Sequence, residues 1–220
     1  MKQQIGENHP YIISYQSLRI MFGLMGMTLP FLLALAGKSL FGLDIQPSIS
    51  DYYHTGMRDS LVGSLWAIAV FLLVYKGPEL VDNLLAKLAC LSAIGISLFP
   101  TPAGEETLFE MDWVGWLHHL FAALLFGSFI IFTLFLFTRT RKGVPPTHRK
   151  LIRNQVYTVC GLIMLTCVLL IGLYKLIPPE SQSPVDQYQP VFWLETVAIM
   201  AFGISWFVKG EAILKDNNNT

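Results

Sequence analysis

Apolar residues in this chain gather into six blocks, each long enough to cross a hydrocarbon layer as a helix. No other feature limits the fold as tightly, because a bilayer core about 30 Å thick takes roughly 20 helical residues to span. The blocks run over about 18–37, 59–76, 83–100, 113–138, 155–176 and 190–208. They are continuous apolar runs, whereas a membrane barrel needs segments of alternating polarity. Lipid also offers unpaired backbone no water, so helices and closed barrels are the only spanning forms. The expected fold is therefore all-α: a polytopic bundle of six transmembrane helices, with residues 1–220 as a single membrane domain. Composition agrees, since 53% of residues are hydrophobic and 14% are charged, against about 25% charged in a soluble domain. The first block is of full spanning length and follows a polar or mixed start, so no cleavable leader is expected.

Orientation follows from the basic residues, which accumulate on the cytoplasmic side. The connection between the fourth and fifth blocks holds Arg139, Arg141, Lys142, Arg149, Lys150 and Arg153, and is expected to be cytoplasmic. Alternating from there, only Lys38, Arg58 and Lys175 of the fifteen Lys and Arg fall outside, and both termini are cytoplasmic. The compact loops point to a bacterial inner (plasma) membrane. The basic connection sets topology, and can also attract anionic lipid headgroups. A formal net charge of zero leaves no global basic field for nucleic acid. Cys90, Cys160 and Cys167 all lie inside apolar blocks with no CxxC spacing, and read as small buried hydrophobes.

Small residues mark the expected helix contacts, because close backbone approach is what holds spans together in lipid. These are Ala86, Ala89, Ala93 and Ser97 on the third helix, Gly63 and Ala67 on the second, and Gly115, Ala122 and Gly127 on the fourth. Tyr52, Tyr53, Trp113, Trp116 and Trp193 are expected in the interfacial aromatic belt. Pro30 is expected to kink the first helix.

The unusual polar chemistry sorts to the outward side. The loop QPSISDYYHTGMRDS, the loop AGEETLFEMDWVGWLHH and the start of the last helix, QPVFWLE, bring Ser50, Asp51, His54, Arg58, Asp59, Asp112, His118, His119 and Glu195 to one depth. Ionisable groups at such depth face a bundle interior or a wet cavity and are functional suspects. If residues 50–59 are helical, Ser50 and His54 share a face, as do His54 and Arg58, while Asp112 and His119 lie two turns apart on one stripe. Histidines and carboxylates together can hold zinc, act as an acid–base pair or relay protons. In the zinc arrangement His54, His118 and His119 are the candidate ligands, with Ser50, Asp59 and Glu195 as candidate catalytic groups. Asp51, Tyr53, Arg58, Asp112 and Trp116 are then candidate pocket residues. The plainer readings are that Arg58 and Asp59 serve the start of the second helix, that Ser50 and Asp51 make a turn, and that Glu195 bonds across helices or pairs with Arg58. Without HExxH, a Gly-rich phosphate loop or a serine elbow, no compact motif decides between them.

Two resemblances attach to these residues. The run Gln46-Pro47-Ser48-Ile49-Ser50, six spans, and the glutamate in FWLETVAIMAFGISWF resemble the FRAG–DRAM–SFK group of six-helix membrane proteins. That likeness implies a lipid-related role, with membrane lipids as partners and the outward loop facing the last helix. Ser50-x-x-x-His54 followed by Asp59 resembles the first motif of the alkaline ceramidase and adiponectin-receptor-like hydrolases, which implies histidine-held zinc and water activated near Ser and Asp. Those enzymes have seven spans, and their later histidines sit four apart rather than adjacent. The expected function is accordingly a lipid-associated membrane protein with an outward polar pocket. The alternatives are a metal-dependent hydrolase of a lipid amide or ester and a proton-linked carrier.

Overall fold

The computed structural model describes residues 14–102, 111–140, 143, 145–177 and 184–215. Part of the second outward loop (103–110), residues 178–183, and Arg141 and Lys142 of the basic connection lie outside the described residues. Six long helices follow one another: α1 Tyr15–Phe41, α2 Arg58–Val74, α3 Leu80–Leu98, α4 Trp113–Leu136, α5 His148–Tyr174 and α6 Pro190–Lys209. All except α2 are long and apolar enough to cross a membrane, which makes this a multi-pass helical architecture. The exception is set by length, for α2 has 17 residues and rises about 25 Å.

Each boundary has a local cause. The Ser14 hydroxyl caps α1, Asp112 caps α4 by accepting from the Gly115 N–H, and Thr147 caps α5. Glu79 and Asp82 form a reciprocal capping box on α3, which satisfies two of the four N–H groups every helix start leaves open. Pro190 stands at the first position of α6, where its missing N–H costs nothing. Gly42 takes φ 68° to end α1, a conformation that suits glycine. Within α1, Pro30 is followed by a π-turn over Leu32–Ala36. The proline removes one rung of the hydrogen-bond ladder, and the helix absorbs the loss as a change of register.

The helices form a ring in chain order: each packs on the next and α6 closes against α1. The tightest crossing is between α1 and α6. A Cβ on Gly23 would stand 2.6 Å from the Gly203 carbonyl oxygen, and one on Gly203 would stand 2.5 Å from Met27 Cγ. Two glycines thus let the backbones touch. The small face foreseen on α3 is buried, with Ala86, Ala89 and Ala93 fully enclosed. The face foreseen on α2 is not: Gly63 and Ala67 are exposed and a Cβ on Gly63 meets nothing. Instead α2 turns Leu61, Leu65, Ile68 and Leu72 inward. Gly115 is buried against Pro102, whereas Gly127 faces open space. All three cysteines are buried and free.

The two ends of the ring differ. At the end holding the basic connection, Trp206 is fully enclosed, with Phe22, Phe71, Tyr75 and Phe137 edge-on around it at 4.8–5.3 Å. Arg139 bridges Glu79 and Asp82 at 2.9 and 3.2 Å, and buried Arg153 donates to the Leu214 carbonyl at 2.6 Å. The opposite end holds the described residues of the α1–α2, α3–α4 and α5–α6 connections and carries the polar cluster. Trp113, Trp116 and Trp193 are half or more exposed there, as a belt requires. Tyr52 is a correction: it is 1% exposed and packs near Phe192, because the α1–α2 connection folds inward over the bundle.

Candidate functional site

The α1–α2 connection is the piece that builds the site. Lys38 and Asp44 pair at 2.7 Å at its start, and the lysine holds the Asp44 carboxyl below the usual aspartate range. The chain then turns in and docks on the first turns of α6. The Pro47 carbonyl accepts from the Phe192 N–H at 2.9 Å, and the Ile49 N–H donates to Glu195 Oε2 at 2.6 Å. Glu195 therefore bonds the loop backbone. Arg58 is not its partner. The side chain answers a backbone donor that the inward fold would otherwise strand, which costs about 1–3 kcal/mol when left unmade.

Residues Ser50–His54 form a single 3-10 turn, which Thr55 ends in an extended conformation. The shared helical face foreseen for Ser50, His54 and Arg58 is thus not realised. At three residues per turn, positions four apart diverge by about 120°. Ser50 points into the bundle, whereas His54 is exposed and bonds the Thr101 carbonyl through Nε2 at 2.7 Å. Arg58 donates to the Tyr53 hydroxyl at 2.7 Å and lies 4.4 Å over its ring. Asp59 is exposed in the first turn of α2, its dipole-favoured place. Asp112 is spent as the cap of α4, and Trp116 faces outward.

Five of the foreseen residues converge on one cavity of about 240 Å³ enclosed by this loop and α4, α5 and α6: Ser50, Asp51, His118, His119 and Glu195. The Ser48 hydroxyl donates to Asp51 Oδ2 at 2.7 Å and accepts from the Asp51 N–H at 3.1 Å. Burial pushes the Asp51 carboxyl above the ordinary aspartate range, against the pull of that Ser48 bond. His118 is 4% exposed and occupied on both ring nitrogens, Nδ1 with the Phe99 carbonyl at 2.8 Å and Nε2 with Ser50 Oγ at 3.1 Å. His119 also lines the cavity, with Nδ1 on the Gly115 carbonyl one turn back at 2.8 Å. No three His, Cys, Asp or Glu side chains among the described residues are placed to hold a metal ion. The zinc set foreseen from His54, His118 and His119 is not brought together, for each ring bonds a different backbone carbonyl.

The wall also holds residues that the sequence reading passed over. Lys175 follows the end of α5, Tyr174 donates to Asp186, and Gln189 lies beside Pro190. Gln189 has φ 51° and its buried Oε1 lacks a hydrogen-bond partner among the described residues. A non-glycine residue held in that backbone region at a cavity wall, with a buried acceptor left unpaired, is a feature that clusters at functional sites. Only the Gln-Pro pair at a helix start hinted at it. Deeper in, the wall is apolar: Ala122, Ala123, Phe126, Val168 and Ile171. Comparison with family models, characterised proteins and solved structures returns no match for this chain.

Proposed function

We propose that this chain is a six-span inner-membrane protein, both termini cytoplasmic, whose outward cavity takes the head and first carbons of an amphipathic lipid. The division of the cavity wall carries the reading. Ser50, Asp51, Lys175, Gln189 and Glu195 gather with the histidines at the loop end, and aliphatic and aromatic side chains line the rest. A ligand with one polar and one apolar part matches that division; an ion or a sugar matches only half of it. The volume of about 240 Å³ is a little under the 300–1,000 Å³ or so of drug-sized pockets, so most of an acyl chain would remain in the bilayer. His119 and Ala123 line both the cavity and a shallow apolar groove with Trp113, Trp116 and Leu120, which offers a lateral route from lipid. The dispersed histidine bonds favour this reading over the zinc hydrolase, and the apolar span interiors favour it over the proton-linked carrier.

The test is mass spectrometry of lipid retained by protein purified in mild detergent, beside an Ala122→Trp variant that fills the cavity. About one lipid per chain in wild type and at least about a tenfold loss in the variant are expected, equivalent to 1.4 kcal/mol of binding. Wild type that retains none, or a variant that retains as much, overturns it.

A further inference from the structure

The geometry points to Ser50 and His118 as a nucleophile–base pair that cleaves a carboxylic ester of the bound amphiphile. This rests on the lipid-pocket reading and adds chemistry to it. Serine hydroxyls become nucleophiles when an adjacent base is within hydrogen-bond reach and a third group orients that base. All three parts are present. Ser50 Oγ lies 3.1 Å from His118 Nε2, and the Phe99 carbonyl lies 2.8 Å from Nδ1. A carbonyl can only accept, so Nδ1 carries the proton; in the neutral ring Nε2 is then the lone pair facing the Ser50 hydroxyl. The ring cannot drift, because His118 is 4% exposed and tethered at both nitrogens. Ser50 and His118 both line the cavity that holds the polar end of the ligand.

The burial of a serine–histidine contact can serve packing alone, but the placement here does more. Ser50 is the first residue of a 3-10 turn, and the neighbouring Ile49 N–H is anchored to Glu195 at 2.6 Å. That anchor fixes the nucleophile relative to α6, while Phe99 fixes the base relative to α3. The pair is thereby held from two separate elements, with the cavity between the loop and α4 open to a substrate.

The steps balance as follows. Ser50 Oγ bonds to the ester carbonyl carbon as His118 Nε2 takes the hydroxyl proton. The tetrahedral adduct breaks its bond to the alcohol oxygen, which leaves with that proton. Water from the loop end then attacks the acyl carbon, His118 takes its proton, and the proton returns to Ser50 Oγ as the carboxylic acid departs. Lys175 on the same wall supplies positive charge towards the oxyanion formed in both steps.

The test is covalent. Full-length protein in mild detergent is treated with an alkyl fluorophosphonate, whose phosphorus takes the place of the carbonyl carbon and whose fluoride is displaced by Oγ. Peptide mass spectrometry should find the phosphonyl adduct on Ser50, absent in Ser50→Ala and formed at least about 100-fold more slowly in His118→Gln, the low end of general-base contributions. Wild type that retains lipid yet carries no adduct on Ser50 overturns the pair and leaves the lipid pocket standing. An adduct formed as fast in His118→Gln also overturns it. A Ser50 adduct on protein that retains no lipid upholds the pair and counts against the pocket reading. The wild-type arm needs no substitution, so a variant that fails to fold does not weaken the test.

Discussion

Asp51 shows how a single side chain records its surroundings. It sits under the inward-folded loop, bonded to Ser48 and facing the cavity, and its carboxyl is pushed above the ordinary aspartate range by burial. A raised native pKa means the folded state binds the proton more tightly than the unfolded one. The charge therefore weakens the fold at neutral pH, and stability returns as pH falls through the raised value. Asp51→Asn keeps an acceptor for Ser48 without the charge. It should raise the thermal midpoint near pH 7, and the gain should close as pH falls towards the ordinary aspartate value of about 4. A gain that is independent of pH would show that the charge is not what Asp51 costs. The same residue illustrates legibility: its position in a polar loop was plain from sequence, but its burial depended on where that loop folds.

At the scale of elements, the α1–α6 crossing decides the shape of the ring. Gly203 lies where a Cβ would stand 2.6 Å from the Gly23 carbonyl oxygen and 2.8 Å from the Met27 nitrogen, both backbone atoms that cannot swing aside. Gly203→Ala should destabilise by about 1–3 kcal/mol, the usual cost of overpacking, read by unfolding in detergent. Gly63→Ala is the control: nothing lies within 4 Å of its Cβ, and alanine's better helix propensity should leave stability unchanged or raised by up to about 1 kcal/mol. Equal effects from the two would mean that the crossing is looser than described. Both glycines look alike in sequence. What separates them is the partner backbone, and no local pattern reports that.

For the whole molecule, the sorting of charge and the order of the ring make one statement about topology. Asp44 and Lys76 stand on connections at opposite ends. In intact cells, a membrane-impermeant thiol reagent should label Asp44→Cys and spare Lys76→Cys, in a background where the buried native cysteines are replaced. Labelling of both from outside, or the reverse pattern, would overturn the proposed orientation. The two labels lie on either side of the short α2, which has 17 residues. Both outcomes therefore bear directly on whether α2 crosses.

The sequence by itself determined the existence, order and approximate limits of the six helices. An apolar run of spanning length has no other way to satisfy its backbone in lipid, and five of the six are that long. It also determined that ionisable residues keep to the two ends, with the histidine–carboxylate cluster at the end away from the basic connection, because burying them mid-span is costly. Tertiary structure alone decided which of them meet. Ser50 reaches His118 across 68 positions, and Ile49 reaches Glu195 across 146. His54, four residues from Ser50, is carried away by a 3-10 turn in the loop whose Pro47 and Ile49 dock on α6. Hydrophobic periodicity speaks for each helix separately, whereas a site assembled from a loop and three helices depends on how the ring closes.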